Sequence, residues 1–153
     1  MPTQMIFANP DLCTGCKLCS LACAMTHLGV ANPRKGSIIV RQNLYERYEF
    51  QSLCRHCDPA PCLDACMTGC IEREGDGTVR LDSTRCIGCW MCVMVCPYDA
   101  IARDLEVQVA RKCDLCPDRA EPACVTVCPT QALLWVEPGR VPGQPSGRAA
   151  SET

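Results

Sequence analysis

Aromatic side chains are scarce in this chain, since phenylalanine, tryptophan and tyrosine together make up 5% of its 153 residues. A chain of this length suits one domain, which normally needs a sizeable apolar interior. Aromatic packing therefore does not organise this interior.

No stretch approaches the roughly 18 uninterrupted apolar residues that cross a bilayer, so we expect no direct membrane insertion. The absence of a basic stripe with interleaved aromatic residues argues against nucleic acid as a partner.

Signals for secretion and for catalysis are also missing. The segment 1–10 has no basic region followed by a long apolar run, and no twin-arginine pair precedes the first cysteines. We therefore expect a reducing, cytoplasmic location. The sequence shows neither a nucleophile paired with a base nor a glycine-rich phosphate loop, which predicts a protein that is not itself an enzyme.

Cysteine is the abundant residue, with 17 copies in the chain. A disulfide scaffold is the weakest explanation, because such scaffolds belong to secreted chains. All but one of the cysteines fall into four groups of four with similar spacing, and Cys70 is left over. These tetrads are Cys13, Cys16, Cys19 and Cys23; Cys54, Cys57, Cys62 and Cys66; Cys86, Cys89, Cys92 and Cys96; and Cys113, Cys116, Cys124 and Cys128.

The spacing of the first and third tetrads is typical of cubane iron-sulfur sites. Three cysteines follow one another at intervals of three, and in two-cluster ferredoxins the fourth cysteine, often followed by proline, ligates the other cluster. In this chain a proline follows the fourth cysteine of the third tetrad, as Cys96-Pro97, and of the fourth tetrad, as Cys128-Pro129. The cysteines of the second and fourth tetrads are more widely spaced, and each of these tetrads taken alone could bind zinc, because zinc sites join separated Cys-x-x-Cys pairs. Since the same chain contains two regularly spaced tetrads, we interpret all four as iron-sulfur sites.

An internal repeat follows the fourth cysteine of three tetrads. It aligns Cys70 with Ala100 and Ala132, which predicts a structural rather than a ligating role for Cys70. Between the tetrads we predict hairpins, an insertion of two strands after the first tetrad, and short helical turns whose apolar side chains shield the clusters. The predicted strands are 71–73 with 78–81, 101–103 with 106–110 around a turn at 104–105, 38–41 with 45–50, and 133–136, and the helical turns are 93–95 and 125–127.

Charge is the other informative property. Each oxidised cubane with four thiolates carries about −2, which would take the formal charge of −2 to about −10. Cations near the tetrads are therefore candidates for partial compensation. They are Lys17, Arg55, Arg85, Arg111 and Lys112.

Three motifs carry a family resemblance: Cys-Arg-His-Cys at 54–57, Cys-Ile-Gly-Cys-Trp-Met-Cys at 86–92 and Cys-Asp-Leu-Cys at 113–116. Over about residues 5–136 the chain resembles the four-cluster ferredoxin-like subunits of molybdenum and tungsten oxidoreductases, including the beta subunits of the DMSO reductase family, and of carbon monoxide dehydrogenases and hydrogenases. Two departures from the family pattern are visible. Ala24 and Met67 stand where a proline often follows the fourth ligand, which concerns the local backbone only. The second departure is that the chain shows no carboxy-terminal membrane helix of the kind some relatives carry, from which we expect a soluble complex.

The resemblance implies an α+β fold of two interleaved bacterial-ferredoxin-like modules with short antiparallel strands and short helices. The four-cluster domain would cover 1–136, with module one from the tetrads at 13–23 and 113–128, module two from those at 54–66 and 86–96, and a flexible tail at 137–153. It also implies four 4Fe-4S clusters. Their ligands would be Cys13, Cys16, Cys19 and Cys128 for cluster one; Cys23, Cys113, Cys116 and Cys124 for cluster two; Cys54, Cys57, Cys62 and Cys96 for cluster three; and Cys66, Cys86, Cys89 and Cys92 for cluster four.

The function implied by the resemblance is electron relay between a catalytic subunit and a second redox protein. The resemblance implies, as the first candidate, the small iron-sulfur subunit of tungsten-dependent aldehyde oxidoreductase, which works with a flavin-containing, NAD-linked subunit. An electron carrier for carbon monoxide dehydrogenase or hydrogenase is the alternative. A connector whose protomers stack into a conductive filament, and a zinc-binding interaction module, are the alternatives from other classes. We expect His56 to tune a cluster, and Trp90 and Tyr98 to shield clusters.

Overall fold

In the computed structural model of the chain, which describes residues 2–46 and 48–139, the strands are short and pair two by two. Each of the four sheets is an antiparallel ladder, as expected for an α+β fold. The strands are β1 (Met5–Ala8), β2 (Ile39–Asn43), β3 (Tyr48–Ser52), β4 (Ile71–Arg73), β5 (Val79–Leu81), β6 (Ile101–Asp104), β7 (Val109–Lys112) and β8 (Leu133–Val136). Neighbours in sequence pair as β2–β3, β4–β5 and β6–β7, whereas β1 pairs with β8.

The β1–β8 ladder joins the beginning and the end of the described chain. Met5 lies opposite Val136 and Ala8 opposite Leu133, and the Asn9 amide donates to the Ala132 carbonyl 2.7 Å away. The strand at 133–136 was predicted, but its partner was not. This pairing brings the fourth tetrad back beside the first.

The helices are α1 (Leu18–Leu28), α2 (Pro61–Asp64), α3 (Met91–Val95) and α4 (Ala123–Thr126), with 3₁₀ turns at Pro10–Leu12 and Pro33–Lys35. The predicted turns at 93–95 and 125–127 correspond to α3 and α4. Helix α1 was not predicted, although Gly29 gives a signal for its end. Gly29 has a φ of 67° and donates its amide to the Met25 carbonyl, as glycines commonly do after a helix.

One predicted turn is displaced. Asp104 and Leu105 were expected to connect β6 and β7, yet Asp104 is the last residue of β6 and the turn occupies 105–108. The Asp104 carboxylate explains the shift, since it accepts from the Glu106 amide at 3.1 Å and from Arg111 at 2.8 Å. The predicted insertion strands are likewise observed two residues or so further along, as β2 and β3. Residues 140–153 of the predicted tail lie outside the described residues.

The buried side chains form two clusters, and cysteine belongs to both. The first contains Cys19 and Cys124 with apolar residues, and Cys23, Cys113 and Cys128 pack against it. The second contains Cys70 and Cys92, with Cys62, Cys66, Cys86 and Cys96 against it. Cysteines of the first and fourth tetrads thus share one core, and those of the second and third share the other. No helix in the described part of the chain combines the length and apolar character needed to cross a membrane.

Candidate metal centres

The four Cys-x-x-Cys turns share one local conformation. The residue before the second cysteine has a left-handed backbone in every tetrad, a conformation that turns the chain sharply. As a result the amides of Gly15 and His56 lie 3.4 Å from the sulfurs of Cys13 and Cys54, to which they donate. Amide donors favour the thiolate form of a cysteine. The left-handed residues and their φ angles are Gly15 (67°), His56 (46°), Gly88 (68°) and Leu115 (64°).

Gly88 is required for a second reason. A Cβ atom at this position would lie 2.4 Å from the Gln108 carbonyl oxygen, which is closer than a Cβ atom can approach. The loop that carries Cys86 and Cys89 therefore packs directly on the backbone that leads into β7. Glycine allows both the conformation and the contact.

The cysteines predicted for cluster one line a single cavity. Cys13, Cys16 and Cys19 come from the loop before α1 and its first turn, while Cys128 arrives from the far end of the chain. The side of the cavity is closed by residues of the two-stranded insertion and of β8. Its other lining residues include Lys17, Val40, Gln51 and Leu133.

The cysteines predicted for cluster three line a second cavity. Cys54, Cys57 and Cys62 are joined there by Cys96, which ends the following tetrad. Polar side chains also line this cavity, and two of them are buried: His56, which is 1% exposed, and Lys112, which is 9% exposed.

The other two predicted ligand sets are also brought together. Burial, followed by the negative charge of Cys23 and Cys116, raises the pKa of Cys124 to about 12. Burial also raises the pKa of Cys113 far above its ordinary value, and Cys124 and Cys23 add to that shift. These four cysteines are those predicted for cluster two.

Near the predicted cluster four, burial and then the charge of Cys86 raise the pKa of Cys92 to about 11, with Cys89 contributing. Cys66 lies beside this group, since its sulfur is 3.3 Å from that of Cys70, which in turn interacts electrostatically with Cys86. The assignment of the sixteen cysteines to four ligand sets stays a prediction.

Comparison with known proteins identifies the family. Residues 45–137 match the model of the 4Fe-4S dicluster domain. The chain belongs to the 4Fe-4S dicluster domain family. It is 40% identical over 157 residues to an iron-sulfur protein of Rhodospirillum rubrum, covering 87% of this chain and 82% of that one. It is 36% identical over 134 residues to the thiosulfate reductase electron transfer subunit PhsB of Salmonella typhi, covering 80% of this chain and 70% of that one.

The fold of this dicluster-family chain is also found among solved structures. It superimposes with a TM-score of 0.54 on a chain of the active site complex BamBC of benzoyl coenzyme A reductase in complex with 1,5-dienoyl-CoA. That likeness covers 98% of this chain and 83% of the other at 22% sequence identity. The ferredoxin-like α+β fold predicted from the sequence is thereby confirmed, and so is the binding of 4Fe-4S clusters by this family member.

The side chains of the dicluster domain fit such clusters chemically. Burial raises the pKa of Cys19 to about 11, so its thiol would stay protonated at neutral pH without a metal. Iron compensates by stabilising the thiolate, which couples metal binding to folding. The cavity around Cys54 also holds a buried histidine nitrogen, His56 Nε2, with no hydrogen-bond partner among the described residues. A bound group with acceptor sulfurs in this cavity would satisfy it.

His27 lies next to a predicted ligand, Cys116, and this contact was not predicted from the sequence. Its Nε2 atom lies 3.4 Å from Cys116 Sγ and 3.5 Å from an Asp114 carboxylate oxygen. The contact joins α1 to the fourth tetrad across 89 positions. No local pattern signals such a contact, because it depends on how the two segments pack.

The expected shielding residues behave differently from one another. Trp90 packs against the second core and Tyr98 lines the cluster-three cavity, where Arg55 lies over its ring at 5.6 Å. Met94, by contrast, is 77% exposed and belongs to neither buried cluster of the described chain. The helical turn of α3 points Met94 outward while Val93 packs inward.

The cations near the tetrads also divide into two groups. Lys17, Arg55 and Lys112 line cavities between cysteines. Arg85 and Arg111 are instead paired with carboxylates, those of Glu72 and Asp104. The three cations of the first group are therefore placed next to predicted ligands, with no carboxylate as an ion-pair partner in the described chain.

Proposed function

We propose that this chain is a non-catalytic electron-transfer subunit that relays electrons through four 4Fe-4S clusters held by the sixteen tetrad cysteines. Each cluster supplies a site that gains and loses one electron. The observation that carries the proposal is the pair of cavities described above, each lined by one complete predicted ligand set. Family membership supports the same conclusion.

The neighbouring cysteines support a linear order of the four sites. Cys19 of the first set interacts electrostatically with Cys124 of the second. Cys113 of the second set interacts with Cys54 of the third. The third and fourth sets meet through Cys62 and Cys92. Because tunnelling rates fall steeply with distance, such a sequence of neighbours favours conduction through the sites in the order one, two, three and four, in either direction.

The ends of this order reach the surface. Cys16 and Cys89, from the first and fourth sets, are the two exposed cysteines of the described chain. A cluster ligand at the surface allows a redox partner to approach closely. We propose that one end receives a catalytic oxidoreductase subunit and the other a second redox protein.

The identity of these partners rests on the sequence resemblance. It implies a tungsten-dependent aldehyde oxidoreductase as the catalytic subunit and a flavin-containing, NAD-linked subunit as the second partner. We also propose a reducing compartment such as the cytoplasm, because there the sixteen thiolates bind iron and do not form disulfides.

Anaerobic purification from the native host tests the proposal. We expect a brown protein with about sixteen irons and as many acid-labile sulfides per chain, co-purifying with tungsten and flavin. Nickel in place of tungsten would indicate a carbon monoxide dehydrogenase or hydrogenase instead. A colourless protein with about four zinc ions would reject the relay. Filaments visible by negative-stain imaging would support the connector alternative.

A further inference from the structure

The cavity between Cys54 and Cys96 contains a histidine whose proton position is determined by the backbone. The Val79 amide donates to His56 Nδ1 at 3.0 Å. Since Nδ1 accepts this hydrogen bond, the neutral ring carries its proton on Nε2. The Nε2–H group is thus a donor.

This donor has no acceptor of its own among residues 2–46 and 48–139. His56 is also 1% exposed, so water does not reach the ring freely. Buried donors without acceptors are rare in proteins because leaving one unpaired is costly. The ring lines the cavity, and an acceptor placed there would satisfy it.

Lys112 lines the same cavity and presents a positive charge. Its ammonium group donates to the carbonyl oxygens of Val79 and Cys113. No ion pair joins Lys112 to a carboxylate within the described residues, although the side chain is 9% exposed. A buried cation normally requires a nearby anion. Burial raises the pKa of Cys57 and of Cys62, and the charge of Lys112, which lies close to both, opposes that rise.

Both observations point to a negatively charged acceptor in this cavity. We propose that His56 and Lys112 give cluster three the highest reduction potential of the four, so that the first electron to enter the chain resides there. The inference rests on the proposed function, in which Cys54, Cys57, Cys62 and Cys96 bind this cluster. Reduction takes the site from about −2 to about −3, and donors and cations stabilise the more negative form.

The other predicted sites have weaker positive partners. Lys17, at the cluster-one cavity, is exposed, so water and salt screen its charge. His27, at Cys116, lies 3.5 Å from the Asp114 carboxylate, whose negative charge opposes reduction. Near the fourth set, Arg85 is paired with Glu72. A buried cation without a carboxylate partner is found at cluster three.

The redox step is a one-electron transfer. The reductant, dithionite in the test below, is oxidised as the cluster held by Cys54, Cys57, Cys62 and Cys96 gains one electron. No bond forms or breaks in this step, and no group is transferred.

EPR-monitored redox titration of the full holoprotein tests the inference. Lys112→Met and His56→Leu should each make the first reduction at least tenfold less favourable, a decrease of 59 mV for one electron. Lys17→Met is the matched control for the change in net charge, and His27→Leu is the control for loss of a histidine. In neither control should the first reduction potential fall by as much as in Lys112→Met or His56→Leu. Unchanged first potentials in both test variants, with full iron content, would overturn the inference.

Iron analysis separates this inference from the proposed function. Wild-type protein with far fewer than about sixteen irons would reject the function itself.

If the test variants fail to assemble, ¹⁵N-histidine labelling of the His27→Leu protein decides, because His56 is then the single remaining histidine. Pulsed EPR of the one-electron-reduced protein should show a ¹⁵N coupling to the reduced cluster. The absence of that coupling would overturn the inference.

Discussion

The sulfur of Cys70 lies 3.3 Å from the sulfur of Cys66. Cys70 is 3% exposed and belongs to the second core, whereas Cys66 belongs to a predicted ligand set. At the equivalent places of the repeat, Ala100 and Ala132 are 1% and 2% exposed. The three positions are therefore buried alike, and the Cys70 thiol is within hydrogen-bonding reach of a ligand.

Replacing Cys70 by alanine should leave all four clusters in place. Alanine already occupies the corresponding position twice, so the core accommodates the smaller side chain. The variant should retain about sixteen irons and sulfides per chain, measured anaerobically. Cys66→Ala is the matched control, four residues away, and should lose iron. A comparable fall in the Cys70→Ala protein would make Cys70 a ligand.

Cys89→Ser should lose or weaken one cluster and reduce electron throughput. Cys89 is exposed at the end of the proposed relay, so its cluster is the contact with a partner. We expect iron to fall towards about twelve per chain, or an altered EPR signal if serine ligates. Electron flow between dithionite-reduced protein and an acceptor dye should slow. Normal iron content with normal transfer would remove Cys89 from the ligand set.

Ligand pairing can be tested by comparing spectra of serine variants. Cys23 is 90 positions before Cys113, yet the charge on Cys23 contributes to raising the pKa of Cys113. Cys23→Ser and Cys124→Ser should therefore perturb the same EPR signal. Cys19→Ser, though on the same helix as Cys23, should perturb a different one. A common signal for Cys19 and Cys23 would contradict the proposed exchange between tetrads.

Gly88→Ala should destabilise the protein. The left-handed backbone alone costs an alanine about 1–2 kcal/mol, and the Gln108 carbonyl would additionally have to move. Gly75→Ala is the matched control, since a Cβ atom there meets nothing within 4 Å. Thermal unfolding of the two holoproteins under anaerobic conditions makes the comparison. Equal midpoints would show that the Cys86 loop adapts freely.

Removing iron should unfold much of the chain. The two cores contain cysteines whose burial is compatible with thiolates only when metal is bound, and few large apolar side chains remain to hold them. Chelation under anaerobic conditions should therefore abolish most of the far-UV circular dichroism, and restoring iron and sulfide should recover it. A chelated chain with its dichroism intact would show that apolar packing suffices.

Local features were predictable because they depend on neighbours in sequence. The spacing of Cys86, Cys89 and Cys92 indicates a single tight loop, and Glu74-Gly-Asp-Gly77 indicates the hairpin of β4 and β5. The turn after β6 was predicted too early, because Asp104 is held by Arg111, seven positions away. That contact forms only once β6 and β7 have paired.

The neighbours of the clusters were harder to predict. Sequence alone places His56 inside a tetrad and therefore near a metal, but it does not reveal that Val79 determines the position of the ring proton. Likewise, Lys112 and His27 meet cysteines from distant tetrads. Such contacts depend on the packing of whole segments, which periodicity and spacing do not describe.

The sequence by itself determined the chemistry of this protein, because the number and rhythm of its cysteines specify thiolate ligation of cubane clusters regardless of the rest of the fold. Only the tertiary structure decided how the tetrads meet. The pairing of β1 with β8 brings Cys128 to Cys13, and the packing of β7 brings Lys112 to Cys57. The physical reason is the distance along the sequence over which each property is determined. Ligand spacing is a property of a few adjacent residues, whereas the surroundings of a cluster depend on segments far apart in the chain.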